Sequence, residues 1–525
     1  MEQQTINKKE VVSFFLSKGI LLSPDMLQLE EEPDSIYTNL AEKTSTKDFL
    51  VLSKDINELL ASGQNLDTNW SELERAKAIF EKGRGDKIYK QFLGYLGSTT
   101  KQEAQQNKEV KVVVSYEADS QKRDIQDFVQ YFNARYKAIE KILRNRQELS
   151  NTLSINRILH KTDRSHISLV GAVGNKQTTK NNNIMLTIED PTGAIKVLVN
   201  KNKPELYEIA KDIVPDEVIG VAGVNGDKIV FANAVLQPDI PQNDLKKSPH
   251  EACVAVLSDL HIGSNNFLAE DFDRFIEWIN LRKGSKEQLE LAKKVKYILI
   301  AGDTIDGCGV YPGQDKELTI KDISKQYEGC ARLLKKIPQH INIIICPGNH
   351  DAMRIAEPQP PLYKDFAGSI HELPNVTLVS NPALVNIHSN DKFSGFDILL
   401  YHGYSFDHFV ANVDSIRNRG GYDRADLIMK FLLKKRHLAP THTSTLYIPT
   451  RDKDPLVIDK IPDIFVTGHI HKSIVANYKN VTMVCGSCWQ SKTTFQERVG
   501  HNPEPSRVPI INLKTREVKI LKFGK

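Results

Sequence analysis

The chain is 525 residues long, too long for one ordinary domain and long enough to bury at least one large core. Hydrophobic residues make up 40% and charged residues 26%, as in ordinary soluble globular proteins, and a net charge of +4 does not by itself indicate a nucleic-acid partner. The opening residues, MEQQTINKKE, lack the layout of a signal peptide, and no stretch approaches about 18 consecutive apolar residues. We therefore expect a cytoplasmic protein that has no membrane partner.

Residues 1–45 are predicted to form a small helical module. Four apolar residues make one stripe at helical spacing: Val11, Val12, Phe15 and Leu16. Ser23-Pro24 follows the stripe as a helix breaker.

Residues 46–151 change in composition and are rich in Lys, Gln, Asn and Ser with weak periodicity. Residues 125–143 are the exception, because the pattern IQDFVQYFNARYKAIEKIL predicts one amphipathic helix. The sequence therefore predicts a flexible linker that contains a single helix.

Residues 152–245 contain five short β-like runs separated by turn residues, notably Asp190-Pro191-Thr192-Gly193. Five strands with a tight turn between the second and the third predict an OB-type barrel, which commonly carries single-stranded nucleic acid. Few aromatic residues are present to stack bases, so a barrel that only docks a partner is at least as consistent with the pattern. The segment 238–250 is predicted to be a linker.

From residue 251 onward, continuous apolar runs alternate with helix-length segments, which predicts an α/β layered sheet covered by helices. Five of these runs end in polar motifs: Asp259-Leu260-His261, Gly302-Asp303-Thr304-Ile305-Asp306, Gly348-Asn349-His350-Asp351, His402-Gly403 and Gly468-His469-Ile470-His471. Ligands gather at the carboxyl ends of strands in such sheets. We therefore expect the five motifs to meet in one crevice.

Seven side chains in these motifs are candidate metal ligands: Asp259, His261, Asp303, Asn349, His402, His469 and His471. They supply oxygen and imidazole nitrogen without thiolate, a mix that suits Mn, Fe or Zn better than a structural zinc site. Each motif alone is more often a hydrogen-bonded strand end, but five in order favour metal binding. Seven ligands are too many for one ion, so we expect two divalent ions that share a carboxylate, an arrangement used for phosphoester hydrolysis.

Cys485-Gly-Ser-Cys488 is a separate motif among six scattered cysteines. A C-x-x-C can be a redox pair or half of a zinc site, but the sequence contains no second one. The pair closes the apolar run VTMVCGSCW, so we expect a packed strand end.

The order D-x-H, G-D-x-x-D, G-N-H-D, a single His and G-H-x-H resembles the calcineurin-like metallophosphoesterases over about residues 251–500, and in particular their break-repair nuclease branch. The resemblance implies a metallophosphoesterase domain over residues 251–525. The preceding barrel, with the stretches MKFLLKKRHLAPTH, PDIFVTGHIHK and CWQSKTTFQ, is similar to the family of small subunits of archaeal DNA polymerase D. The expected fold is therefore multidomain, with a helical module and an OB-type barrel before the phosphoesterase domain.

The family pattern implies a role for each motif residue. One ion would be held by Asp259, His261, Asp303 and His471, and the other by Asp303, Asn349, His402 and His469, with Asp303 as the bridge. His350 would face the substrate as proton donor or charge stabiliser, and Asp306 would fix its tautomer. Asp351 is expected to cap a turn or to support a ligand.

The resemblance implies a 3′ to 5′ exonuclease that acts on the single-stranded 3′ end of DNA beside the large catalytic subunit of polymerase D. Manganese is the expected metal, and the N-terminal module could reach other replication factors. A basic cluster is a candidate DNA contact or else a solvated helix face: Lys430, Lys434, Lys435, Arg436 and His437. The alternatives are a metal-dependent phosphatase and a scaffolding subunit with an idle site.

Overall fold

The computed structural model describes residues 8–18, 20–23, 26, 33–43, 51–52, 110–117, 121–498 and 501–524. The chain forms two compact units, Met1–Gln106 and Asn107–Lys525. None of the helices within the described ranges has both the length and the apolar character needed to cross a membrane.

The described part of the first unit contains two helices and a two-stranded parallel sheet: α1 (Lys8–Ser17), β1 (Leu21–Leu22), α2 (Pro33–Lys43) and β2 (Val51–Leu52). The predicted stripe is largely correct, because Phe15 is fully buried and Val11 and Val12 pack against the same small core. Leu16 is 52% exposed and lies outside that core. The predicted linker over residues 53–109 lies outside the described residues.

The second unit begins with β3 (Val110–Ser115) and α3 (Ile125–Leu143). The helix has the predicted bounds. Asp124 begins it with a capping box, in which the side chains of Asp124 and Asp127 each accept a hydrogen bond from the other residue's backbone N–H. Tyr131, Arg135 and Ile139 lie on the buried face of the helix, as its amphipathic pattern requires.

The predicted five-stranded barrel is confirmed. It closes in the order β4-β5-β6-β8-β7 around an aliphatic core. Its elements in chain order are α4 (Ile155–Leu159), β4 (His166–Thr178), β5 (Ile184–Asp190), β6 (Gly193–Val199), α5 (Pro204–Lys211), β7 (Val218–Asn225) and β8 (Ile229–Leu236). The turn between β5 and β6 is held by Asp190, whose carboxylate accepts hydrogen bonds from the backbone N–H and the hydroxyl of Thr192.

The remaining strands supply two mixed sheets. They are β9 (Cys253–Leu257), β10 (Val295–Ala301), β11 (Asn342–Cys346), β12 (Val376–Leu378), β13 (Ala383–Ile387), β14 (Phe396–Leu400), β15 (Ile464–Thr467), β16 (Ile474–Tyr478), β17 (Val481–Cys485), β18 (Arg507–Asn512) and β19 (Val518–Lys522). One sheet has the order β12-β11-β10-β9-β18-β19, and the other has the order β16-β17-β15-β14-β13-β3.

The helices of this region are α6 (Ala269–Ile279), α7 (Lys286–Ala292), α8 (Ile323–Leu334), α9 (Lys364–His371), α10 (Phe406–Asn412), α11 (Asp414–Arg417), α12 (Ala425–Lys435) and α13 (Thr494–Arg498). Apolar residues of both sheets share one core, so the sheets pack face to face. Helices α6 and α8 cover the outer face of the first sheet, and α10 and α12 cover that of the second. The result is a helix, sheet, sheet, helix layering.

Part of the predicted linker is folded. Strand β3 pairs antiparallel with β13 and forms the edge of the second sheet. Helix α3 contacts the barrel, where the Tyr136 hydroxyl donates to the Val170 carbonyl at 3.1 Å. The segment 238–250 has no helix or strand, as predicted, but it is anchored by the ion pairs of Asp239 with Lys479 and of Lys246 with Asp463.

Candidate metal centre

The five polar motifs meet at the carboxyl ends of β9, β10, β11, β14 and β15, so the crevice spans both sheets. The backbone there is unusual: Asp259, His261, Asp303, His469 and His471 all have positive φ, between 51° and 72°. Non-glycine residues rarely adopt this left-handed conformation, and it concentrates at functional sites. In these tight turns the side chains of the five residues lie over the carboxyl ends of the strands.

A first group of ligand atoms comes from Asp259, His261 and His471. The Nε2 atoms of the two imidazoles lie 3.1 Å apart, and His471 Nε2 lies 3.4 Å from Asp259 Oδ1. All three side chains are at least nine-tenths buried. Asp303 Oδ2 lies 3.9 Å from His261 Nε2 and completes the group.

A second group adjoins the first through Asp303. His402 Nε2 lies 3.3 Å from Asp303 Oδ2 and 2.9 Å from Asn349 Oδ1. His469 Nδ1 lies 3.0 Å from the same Asn349 oxygen. The seven predicted ligands therefore come together, in the two groups that the family pattern implies, with Asp303 between them.

The outward nitrogen of each imidazole has its own partner. His261 Nδ1 donates to Asp306 at 2.9 Å, His402 Nδ1 to the Ala301 carbonyl at 2.8 Å, and His469 Nε2 to Asp407 at 3.0 Å. His471 Nδ1 lies 2.9 Å from the Gln496 amide. Partners of this kind orient the histidines of metal sites and fix their tautomers.

The donor set fits a cation. Because His402 and His469 donate outward, their inward nitrogens carry lone pairs when neutral, and both face the lone pairs of Asn349 Oδ1 at about 3 Å. Two ligand atoms bound at about 2.1 Å and at right angles to each other would lie about 3.0 Å apart. Burial lowers the pKa of His402, but the Asp303 carboxylate outweighs burial and raises that pKa to about 10. The electrostatics therefore favour positive charge in the crevice.

His350 lies beside the first group, with its ring edge-on to His261 at a centroid distance of 4.6 Å. The predicted role of Asp306 needs a correction, because His350 Nδ1 donates to the backbone carbonyl of Asp306 at 2.8 Å. The Asp306 carboxylate is engaged by His261, Gln314 and Gln490 instead. Asp306 therefore positions His261 with its side chain and His350 with its backbone.

Asp351 ties two of the motif turns together. Its carboxylate accepts hydrogen bonds from the Thr304 and Gly348 backbone N–H groups at 3.3 and 2.8 Å and from the Tyr327 hydroxyl at 3.2 Å. Burial raises the pKa of Asp351 to about 6, and the nearby Asp303 acts in the same direction. This arrangement agrees with the expected supporting role.

Five of the seven candidate ligands, His261, Asp303, Asn349, His469 and His471, line a cavity of about 260 Å³. The cavity also reaches Val310, Tyr311, Ile355, Tyr404 and His501. Val310 and Ile355 are 38% and 45% exposed, so the rim is partly apolar. Sequence analysis missed these rim residues and the orienting residues Asp407, Gln490 and Gln496. Only Asp407 had a sequence signal, since it is an acidic residue soon after the His402 motif.

The predicted basic cluster is mostly interior. Lys435 is buried in an ion pair with Glu217 of the barrel at 2.5 Å, and Arg436 donates to the carbonyls of Ile458 and Asp459. His437 is buried against Asp454 at 2.7 Å. These three residues hold the barrel and nearby loops in place, so they do not present an exposed basic surface.

Cys485 ends β17, and the thiols of Cys485 and Cys488 are both buried and free. The motif is therefore a packed strand end, as predicted.

A family model that describes the B-type subunit of DNA polymerases alpha and epsilon matches residues 254–475. A protein of Methanothermobacter thermautotrophicus named DNA polymerase II small subunit is 39% identical over 401 residues, which is 76% of this chain and 80% of that protein. A Pyrococcus abyssi protein of the same name is 37% identical over 404 residues, 76% of this chain and 63% of its own length.

Among solved structures, one described as a novel archaeal phosphodiesterase is covered over 98% of its length, with 14% identity and a TM-score of 0.24 over 51% of this chain. That likeness is too weak to indicate a function.

Proposed function

The chain belongs to the DNA polymerase II small-subunit family, and from that premise we propose that it is a two-metal-dependent 3′ to 5′ exonuclease that proofreads DNA within a two-chain polymerase. The observation that carries the proposal is the meeting of seven candidate ligand side chains in two groups with Asp303 between them. Paired metal ions bridged by a carboxylate are a known device for phosphoester hydrolysis.

The helix, sheet, sheet, helix layering supports a calcineurin-like metallophosphoesterase arrangement for residues 251–525. Both sheets deliver strand ends to one crevice, as that superfamily requires of its five motifs. Asp259, His261, His471 and Asp303 would hold one divalent ion, and Asp303, Asn349, His402 and His469 would hold the other. Manganese is the proposed metal, although the ligands also suit iron or zinc.

When bound, the metals would supply charge neutralisation at the phosphate and a water activated near neutral pH. The remaining steps belong to the chain's own residues. His350 Nδ1 is held by the Asp306 carbonyl, so a protonated His350 can give the proton on Nε2 to the leaving oxygen. Asp306, Asp407 and Gln496 would hold the imidazoles of His261, His469 and His471 in a fixed orientation.

The partner that the family name implies is a large catalytic subunit, that of polymerase D, which would carry the polymerising site. The OB-type barrel is a proposed docking surface for that subunit. The N-terminal unit is proposed to contact another replication factor through a tether.

The proposal is tested by digesting single-stranded DNA labelled at either end, with Mn²⁺ and with a chelator. We expect shortening from the 3′ end with Mn²⁺ and none with the chelator. Elemental analysis of the purified chain gives a second measurement, since a scaffolding subunit with an idle site would hold no near-stoichiometric metal. Digestion that persists in the chelator, or that starts at the 5′ end, would contradict the proposal.

A further inference from the structure

A second cavity of about 320 Å³ opens beside the metal centre and is lined by Arg417, Gly420, Tyr422, Lys472, His501 and Asn502. We refer to it as the lateral cavity. His501 lines both this cavity and the metal cavity, so the two adjoin. A volume of this size is at the lower end of the range for small-molecule sites, about 300 to 1,000 Å³, and can receive one nucleotide.

Two aromatic rings form one wall of the lateral cavity. The rings of Tyr422 and His501 lie 4.0 Å apart between centroids, at an interplanar angle of 53°. Both residues are partly exposed. Half-exposed aromatic rings beside a groove are the usual means by which proteins hold unpaired bases without regard to sequence.

Cations lie at the same cavity. The Arg417 side chain is 51% exposed and pairs with Asp414, and Lys472 pairs with Asp423 at 2.6 Å. Arg419, which is exposed, lies two residues after Arg417, the last residue of α11. An aromatic wall with neighbouring cations is complementary to a nucleotide, whose base stacks and whose phosphate is anionic.

Two residues of the loop that carries Tyr422 contact residues at the metal centre. The Tyr422 side chain lies near Asp407, whose carboxylate accepts a hydrogen bond from the candidate ligand His469. Asp423 pairs with Lys472, the residue after His471. Gly420 and Gly421 have φ of 120° and 52° and allow the sharp turn that brings Tyr422 inward. The aromatic wall is thus held at a fixed position relative to the ligands.

We propose that the lateral cavity binds the nucleotide next to the one being removed, with its base against Tyr422 and His501 and its phosphate near Arg417 and Lys472. The inference rests on the proposed nuclease function and adds a binding site for an unpaired DNA strand. Because a base can reach this wall only when it is unstacked from a duplex, the site selects a frayed end over a paired one.

Binding is measured with the full chain, in chelator, by fluorescence anisotropy of a single-stranded oligodeoxynucleotide of about eight residues. Tyr422→Ala should weaken binding about tenfold or more, the size expected for losing one stacked base. Tyr422→Phe keeps the ring and should bind like the wild type. Tyr363→Ala is the matched control, because Tyr363 is 41% exposed and lines neither cavity.

Two results of this assay would overturn the inference. In one, Tyr422→Ala binds as tightly as the wild type. In the other, Tyr422→Phe loses as much affinity as Tyr422→Ala, which would assign the effect to the tyrosine hydroxyl and not to stacking of the ring. Circular dichroism of each variant checks that the fold is intact.

The position of the bound nucleotide in the lateral cavity is tested by photo-crosslinking. The oligodeoxynucleotide carries 5-iodouracil at the second position from its 3′ end. The crosslinked peptide should contain Tyr422 or His501, and a crosslink confined to the barrel would overturn the inference. The readout requires no hydrolysis. A chain that crosslinks at Tyr422 but never cleaves DNA contradicts the nuclease proposal alone, and a chain that cleaves without this crosslink contradicts the lateral cavity alone.

Discussion

Five candidate ligands hold their backbone in the left-handed region, at a cost of about 1 to 3 kcal/mol for each residue. Hydrogen bonds between the turns offset part of this cost, such as those from the His350 backbone N–H to Asp303 at 2.8 Å and from the Thr304 backbone N–H to Asp351 at 3.3 Å. The crevice also brings the carboxylates of Asp259 and Asp303 close together, and a bound cation would offset their mutual repulsion. Metal binding should therefore stabilise the fold as well as enable hydrolysis.

Asp303→Asn should remove both the stabilisation of the fold by metal and the hydrolysis, because the shared carboxylate would neutralise both ions and set their separation. We expect less than about a hundredth of wild-type hydrolysis and no rise in melting temperature when Mn²⁺ is added. Asp315→Asn is the matched control on an exposed aspartate. Retained hydrolysis together with a retained thermal shift would show that Asp303 is not the bridge.

His350→Ala separates proton transfer from metal binding. Metal content should be nearly unchanged, while hydrolysis slows by about 100 to 10,000-fold, the usual range for a lost acid or base. His340→Ala alters an exposed histidine and serves as the control. Loss of metal in His350→Ala would instead make His350 a ligand.

Asp407→Ala tests the orienting partner that sequence analysis missed. Loss of the hydrogen bond to His469 should weaken metal binding about 10 to 100-fold, as is typical for such partners. Titration calorimetry with Mn²⁺ should show the weaker affinity at one of two sites only. Equal weakening of both sites, or of neither, would contradict the assignment of His469 to the second group alone.

The strand-end motifs predicted which side chains meet in the crevice, because each motif carries its own local signal and the sheets bring the strand ends together. Gln490 and Gln496 could not be predicted in the same way. They follow β17, which carries none of the motifs, and they reach Asp306 and His471 only through the path of the folded chain. Contacts between residues so far apart in the chain produce no motif of fixed spacing that could be recognised in the sequence.

At the level of elements, α3 was predicted with its bounds because its apolar period and its N-cap are local features. The sequence did not show that α3 is joined to a distant loop, and we call the contacts that join them the brace. Asp454 accepts from Tyr131, from Arg135 at 2.6 Å and from His437, so one buried carboxylate joins α3 to the loop after α12. The same carboxylate accounts for the burial of His437, whereas Lys435 and Arg436 are buried against Glu217 and against the carbonyls of Ile458 and Asp459.

This brace predicts a loss of stability in acid. Burial lowers the pKa of His437 to about 4, and Arg135 acts in the same direction. The unfolded chain therefore binds a proton at His437 that the folded chain does not bind, as pH falls from about 6.5 to about 4. Burial raises the pKa of Asp454, but Arg135 and His437 outweigh it and hold that pKa below its usual range, which extends the loss to lower pH.

His437→Gln should flatten this dependence. Between pH 7.5 and 5, the wild type should lose about 2 kcal/mol more unfolding free energy than the variant. This is the loss expected when the pKa of one histidine falls from about 6.5 in the unfolded chain to about 4 in the fold. Urea unfolding at both pH values measures the difference. His340→Gln, at an exposed histidine, should keep the wild-type slope, and an unchanged slope in His437→Gln would contradict the assignment.

At the level of the whole molecule, the two compact units have separate cores. The sequence predicted a helical module over residues 1–45 and a separate barrel over residues 152–245, whereas the first compact unit extends to Gln106 and has Leu52 in its core. The barrel belongs to the larger unit, because the buried Lys435 and Glu217 pair joins it to α12. Such a pair has no local signature, since its partners lie far apart in the chain.

Deletion of residues 1–45 should spare both nuclease activity and co-purification with the large subunit, because the larger unit keeps its whole core. Deletion of the barrel is a poor test of docking, since it would leave Lys435 buried without its carboxylate. Phe231→Glu alters an apolar barrel residue that is 46% exposed and is the better variant. We expect it to weaken co-purification, and an unaffected complex would place the docking surface elsewhere.

Strand β3 precedes the barrel in the chain, yet it completes a sheet whose other strands come after the barrel. The Tyr116 backbone N–H donates to Ser380, 264 residues further along the chain. At about 5 to 20 residues per second, a ribosome needs tens of seconds to make the missing partner. During that time Val112, Val113 and Val114, each at least 39% exposed even in the finished fold, form an unpaired apolar strand. Nascent chains of this protein should therefore need chaperone protection at residues 110–115 until β13 leaves the ribosome.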